Sequence, residues 1–185
     1  SRAVDAADAP HYVARVSAIP DPYTCVAACL LVRRSPGGPF LAVRGPRGLG
    51  FPGGKREPRE APLACALREA AEECGLDLRG RLQDAHFLGE RPTAAGHVVA
   101  AVYFPPLAQP EEAAPELGPE TREGLPVWTD PADLCSPSGA RHPDWNEWAL
   151  REARRFERDP ARFDTERATA PDIEALLRAA AARAA

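Results

Sequence analysis

What this sequence most plainly lacks is an apolar run long enough to cross a bilayer. Its longest, CVAACLLV at residues 25–32, falls far short of the roughly 20 residues that a spanning helix needs, so no membrane partner is expected. It also lacks a basic excess. Lys and Arg number 23 against 27 Asp and Glu, a formal net charge of -4, so the surface as a whole does not attract a polyanion and nucleic acid is a disfavoured partner. No CxxC pair occurs among Cys25, Cys29, Cys65, Cys74 and Cys135, and the odd count argues against a complete disulfide framework of the kind small secreted domains use. The thiols read as reduced and packed as small apolar groups. The first ten residues, SRAVDAADAP, hold no hydrophobic segment of secretory type, which makes a cytoplasmic compartment the default expectation. Methionine is absent; in a chain so rich in Ala, Pro and Arg this is compositional bias without functional content.

What is present suits one domain with extensions. At 185 residues the chain is long enough to bury a sizeable core. Residues 1–20 read as an N-terminal extension in which HYVARVSAI (11–19) alternates weakly, as an edge strand would. Residues 21–158 form the main domain, and 159–185 a C-terminal helical extension ending in APDIEALLRAAAARAA. TCVAACLLVRR (24–34) and PFLAVR (39–44) are strands broken by SPGG, and AHFLGE (85–90) and HVVAAVYF (97–104) are strands joined by the turn RPTAAG. PVWTDPADL predicts a short strand, an Asp130 N-cap with Pro131 at the first helical position, and a short helix. HPDWNEWALREARRFERD places Trp145, Trp148, Ala149 and Phe156 at helical spacing.

The chemistry concentrates in one stretch, GGKREPREAPLACALREAAEECGL from Gly53. Pro62 in a first turn and Gly75 as a stop bound a helix. At about 100° per residue, Leu63, Leu67, Ala70 and Cys74 share a packing stripe, while Glu69, Glu72 and Glu73 fall together on a roughly opposite face. Like charges at that spacing cost a few tenths of a kcal/mol per pair. A solvated acidic face explains REAAEE taken alone. The preceding FPGGK, which brings exposed backbone and a lysine to the start of that helix, favours a hard cation such as Mg²⁺ or Mn²⁺, bound through oxygen together with substrate phosphates.

Gly54, five residues, Glu60, seven residues, then Arg68-Glu69-Ala70-Ala71-Glu72-Glu73-Cys74-Gly75-Leu76 resembles the Nudix box, the signature of the MutT-like pyrophosphohydrolases, with every fixed position filled. The strand order around it, over residues 24–134, also resembles a Nudix domain. The resemblance implies an α/β fold, an α/β/α sandwich around a small mixed β-sheet, with extra C-terminal helices. It implies that Glu69, Glu72, Glu73 and the Gly53 carbonyl bind Mg²⁺ or Mn²⁺, that Arg68 and Glu60 orient those carboxylates, and that the reaction cleaves a phosphoanhydride in a nucleoside diphosphate linked to another group. The substrate classes it leaves open are nucleoside triphosphates, dinucleotides, and ADP-ribose or nucleotide sugars, whose hydrolases often build the pocket across a homodimer. The alternatives are an RNA-cap hydrolase, for which REARRFER (151–158) offers a local basic strip, and a non-catalytic nucleotide- or RNA-binding module, against which the three intact glutamates speak.

Two assignments lie outside the box. Residues 105–126, rich in Pro and Glu, form a long acidic loop expected to close over the diphosphate and deliver a general base; of Glu116, Glu120 and Glu123, Glu120 is the first choice, with Glu69 in reserve. For the substrate, Phe51, Tyr103 and Trp128 are candidates to stack on a base, although an aromatic in a strand is more often core, and Arg44 and Arg47 are candidates for phosphate.

Overall fold

A computed structural model describes residues 21, 23–107, 116–161 and 163. The edge strand expected over 11–19 and the helix expected over 170–185 lie outside them.

Two central strands explain the layering. β1 (Ala27–Val32) and β6 (Val98–Phe104) pair in parallel, and both are nearly continuous in apolar residues. Such strands are buried on both faces. Leu30 and Val32 of β1, with Ala100, Val102 and Phe104 of β6, point to one core; Leu31, with Val99, Ala101 and Tyr103, points to the other. The period of two thus splits each strand between two hydrophobic layers. β4 (Gly53–Lys55) and β5 (His86–Pro92) pair antiparallel to complete a mixed sheet in the order β4-β1-β6-β5. Helix α1 (Pro62–Cys74) covers the first face with Ala66, Leu67, Ala70 and Cys74. Helix α3 (Pro143–Arg158) covers the second with Trp145, Ala149, Leu150 and Phe156. This is the expected α/β/α sandwich.

A second, antiparallel sheet stands beside the first. It consists of β3 (Gly48–Gly50), β2 (Phe40–Gly45) and β7 (Leu125–Thr129) in that order, followed by the short helix α2 (Pro131–Leu134). The stretch RGPRGLGFPGGK (44–55), whose glycines read in the sequence as a loop leading into the glutamate helix, carries two short strands, β3 and β4. Backbone pairing with β2 and β1 supplies the order that their glycines cannot. As expected, Asp130 caps α2, its side chain accepting the Ala132 N–H at 2.8 Å. Helix α1 has Pro62 at its first position and ends at Gly75, whose φ of 70° suits glycine.

Helix α3 is locked to the sheets through a polar contact. Arg33, at 7% exposure, bonds Glu157 at 2.6 Å and the Gly38 carbonyl at 2.6 Å, and Tyr103 donates its hydroxyl to Glu157 at 3.0 Å. Replacing the acid leaves a buried guanidinium and a buried hydroxyl without it. Glu157→Ala is expected to cost on the order of 3 kcal/mol in urea denaturation; a cost below about 0.5 kcal/mol would show that the contact is a surface pair.

Candidate active site

The acidic face of α1 is organised by one cation. Arg68 holds Glu60 with Nε at 3.0 Å from Oε2 and Nη2 at 3.1 Å from Oε1, Glu69 at 2.8 Å and Glu72 at 3.1 Å. A further donor reaches the Lys55 carbonyl at 2.9 Å. Glu72 is one turn on from Arg68, so helix geometry makes that pair; Glu60 comes from the loop before the helix and needs the tertiary fold. The hydrogen bonds to Glu60 hold the guanidinium above its ordinary value, so it stays charged.

The opposing wall is β4. In the antiparallel pairing with β1, Leu30 N–H donates to the Pro52 carbonyl and Arg56 N–H to that of Val26. Ladder alternation then turns the N–H and C=O of Gly53 and Lys55 away from β1, toward α1. The Lys55 carbonyl meets Arg68, and the Gly53 N–H donates to Glu73 Oε2 at 2.9 Å. A Cβ on Gly54 would lie 2.6 Å from the Glu69 carboxylate and would push it from its place beside Arg68.

Glu73 corrects the expectation of an outward acidic face. Its exposure is 7%, because α1 is covered on that side by β4 and by a turn at 121–124. Burial pushes its carboxyl up to about 7, against the lowering effect of the Gly53 N–H; Glu69 adds to the rise and Arg141 opposes it. Burial also raises Glu69, against the pull of Arg68.

Glu73 opens into a cleft of about 120 Å³ that Arg47, Phe51, Arg122, Glu123 and Arg141 help to line. Glu123 reaches it on a pinned turn. Thr121 N–H donates to the Gly124 carbonyl at 2.8 Å and Gly124 N–H returns to Thr121 at 3.1 Å. The turn lies so close to β2 that a Cβ on Gly45 would meet the Glu123 carbonyl at 2.4 Å. Gly118 N–H donates to the Cys74 carbonyl at 2.8 Å, so the chain from 116 to 124 runs docked along the end of α1. The described part of the acidic loop is therefore anchored. A neighbouring cavity of about 60 Å³ shares Phe51 and Arg141 with the cleft and is walled by Gly53, Gly54, Thr93 and Trp145.

The fold brings Arg47, Phe51 and Glu123 to Glu73, and leaves others elsewhere. Glu120 is exposed and outside the cleft, and so is Glu116. Arg44 points to solvent from β2. Tyr103 is core, at 3% exposure with its hydroxyl spent on Glu157, and Trp128 packs on the core beneath α1. Neither aromatic lines the cleft, because the strand face each occupies is already covered by a helix. Arg122 and Arg141 were not singled out from the sequence. An arginine in a loop has no periodic signature; Arg141 is placed by its N–H bond to the Leu49 carbonyl, by the bond from Leu49 N–H to Gly139, and by Asn146.

Among the described residues no three Asp, Glu, His or Cys side chains are gathered closely enough to hold an ion as they stand. Arg68 holds Glu69 and Glu72, while Glu73 is turned to Gly53. The donor set is nevertheless all oxygen, as hard divalent cations require.

A family model described as the NUDIX domain matches residues 23–151. No curated protein matches the chain. Among solved structures, the MutT protein from Methanosarcina mazei Go1 is similar at 18% identity over 71% of this chain and 94% of that one, with a TM-score of 0.50. A bifunctional NMN adenylyltransferase/ADP ribose pyrophosphatase from Francisella tularensis, complexed with AMP and a Mn ion, is similar at 16% identity over 78% of this chain and 46% of that one, with a TM-score of 0.52. At these identities the likeness is one of fold.

Proposed function

Because the chain belongs to the NUDIX family and is a pyrophosphohydrolase, we propose that it hydrolyses a phosphoanhydride in a nucleoside diphosphate joined to a further group, with Mg²⁺ or Mn²⁺ as cofactor. The observation that carries the reading is the placing of Glu69, Glu72, Glu73 and the Gly53 backbone on one side of α1, with Arg68 and Glu60 bracing Glu69 and Glu72, and Gly53 holding Glu73.

Glu69, Glu72, Glu73 and the Gly53 carbonyl fit a divalent ion by donor chemistry, and Gly54 leaves the Glu69 carboxylate room against the strand. When bound, such an ion draws charge from phosphoryl oxygens and makes water more acidic. Arg68, held by Glu60, limits the repulsion between Glu69 and Glu72 and fixes their orientation. In the reaction water attacks phosphorus, the bond to the bridging oxygen breaks, and the proton released must be accepted. Glu123 is the loop acid that stands in the cleft beside Glu73, and it takes this role in place of Glu120.

Turnover is to be measured with Mg²⁺ and then Mn²⁺ on nucleoside triphosphates, ADP-ribose, nucleotide sugars and dinucleoside polyphosphates, with Glu123→Gln and Glu120→Gln beside the wild type. Glu123→Gln is expected to lower kcat by about a hundredfold, as loss of a general base does, and Glu120→Gln by less than about threefold. The reverse order would return the base to Glu120. Absence of product from every compound with either metal would end the phosphoanhydride reading.

A further inference from the structure

The acidic side of α1 gathers like charges that call for a cation; beyond Glu73 the same cleft gathers the opposite sign. Arg47, Arg122 and Arg141 line it. Among the described residues no ion pair or side-chain hydrogen bond engages any of the three guanidinium groups. Arg141 and Arg47 also act on one neighbour: after burial, their charges are the main causes that hold His142 below its ordinary value. Glu73 and Glu123 line the same cleft, but neither closes an ion pair with any of the three, so three cations stand near two carboxylates that do not pair with them. Cations set together are unfavourable, and more so where a cleft thins the water around them.

The cluster is built into the fold. Leu49 of β3 donates its N–H to Gly139 at 2.9 Å and accepts that of Arg141 at 2.8 Å, and Asn146 holds the Arg141 carbonyl at 2.8 Å. His142 follows at a φ of 57°, a conformation unfavourable for a residue with a Cβ. The Arg141 side chain runs over Gly50, where a Cβ would lie 3.6 Å from its own Cβ. Arg47 stands in the turn between β2 and β3, which is pressed so close to the same segment that a Cβ on Gly48 would meet the Gly139 carbonyl at 2.7 Å.

We propose that Arg47, Arg122 and Arg141 form an anion subsite for a phosphate beyond the scissile diphosphate, so that the preferred substrate is a nucleoside carrying three or more phosphates rather than a nucleotide sugar. The proposal rests on the pyrophosphohydrolase reading. In that reading the charge of the scissile diphosphate is met on the α1 side, which leaves the guanidinium groups across Glu73 for a further anion. Guanidinium matches phosphate in two-pronged, charge-assisted hydrogen bonds. A sugar in the same place would offer only neutral hydroxyls and leave the cations unpaired.

Two measurements test it. The first compares kcat/KM on a nucleoside triphosphate and on ADP-ribose for the wild type, Arg47→Ala, Arg141→Ala and the double variant, with Mg²⁺. The double variant is expected to lose at least about tenfold more on the triphosphate than on ADP-ribose, and Arg141→Lys to keep only part of the difference. Equal losses on both substrates, or none, overturn the subsite. The second is calorimetric binding of inorganic tripolyphosphate to the whole protein in EDTA, which does not depend on turnover. Binding by the wild type that weakens with salt and falls about tenfold or more in the double variant supports the subsite; no binding, or binding that the variant retains, overturns it. Failure of the hydrolase reading would look different: tripolyphosphate would bind through the arginines while no phosphoanhydride was cleaved.

Discussion

Glu73→Gln is expected to abolish measurable turnover, a loss of at least about a hundredfold, while making the metal-free protein more stable at pH 8. The activity loss follows from removing one of the three carboxylates proposed to hold the cation. The stability gain follows from burial. The Glu73 carboxyl is raised from 4.5 to about 7 in the fold, so between those values the folded chain binds more protons than the unfolded chain. Stability then falls as pH rises through that window, and the ionised group costs on the order of 3 kcal/mol above it. Below the unfolded value the group is protonated in both states and contributes nothing. Gln has no charge to lose, and its Oε1 can still accept the Gly53 N–H. The variant should therefore melt roughly 5–10 °C above the metal-free wild type at pH 8, with the gap closing toward pH 4.5. Mg²⁺ should narrow it at pH 8 by stabilising the wild type more. A variant that melted below the metal-free wild type at pH 8 would show that the Glu73 carboxylate is stabilising, and the burial argument would be wrong.

Arg68→Ala should also lower turnover, though by less, and should be opposite in its effect on stability. It withdraws the hydrogen bonds to Glu60, Glu69, Glu72 and the Lys55 carbonyl together. Glu60 and Glu69 have side chains only 11% and 14% exposed, so water repays little of the loss. About 2–4 kcal/mol of stability should go in the metal-free protein, and kcat should fall roughly ten- to a hundredfold as the carboxylates lose their bracing. Arg68→Lys restores the charge without the fork, so it should recover part of the stability and little of the turnover. Divalent metal should recover part of the melting temperature of Arg68→Ala, since a bound cation replaces the missing positive charge. Full turnover in Arg68→Lys would mean that charge alone suffices and that the forked hydrogen bonds to Glu60, Glu69 and Glu72 are not needed.

These two residues also mark how far the sequence reached. Their helix was legible because its signals are local. Pro62 and Gly75 bound it, and a 3.6-residue repeat places Leu67, Ala70 and Cys74 on one stripe with the glutamates grouped away from it. The pairing of Arg68 with Glu72 one turn on follows from the same repeat. Strands β1, β2, β5, β6 and β7 were legible too, through apolar runs between turn residues, and so was Asp130 as a cap, whereas the glycine-rich β3 and β4 read as loop. Spacing also grouped Glu73 with its neighbours, but its burial depends on β4 and the 121–124 turn, which lie far from it in the chain.

The remainder was decided by contacts between distant segments. In β6 both faces are apolar, so a period of two could not say whether Tyr103 faced a cleft or a core; Phe156 and Glu157 on α3 settled it. Glu120 and Glu123 are equivalent as acidic letters in one loop, and the close packing of the 121–124 turn on β2 puts Glu123, not Glu120, in the lining of the cleft. Arg141 belongs to no periodic pattern, and two backbone hydrogen bonds between Leu49 and the 139–141 segment bring it to the cleft. The sequence by itself determined the local helix, its caps and the carboxylates it carries, because those depend on residues within about two turns of one another. Which side chains meet across the cleft was decided by the tertiary structure alone, because burial and backbone pairing between distant segments leave no periodic trace in the chain.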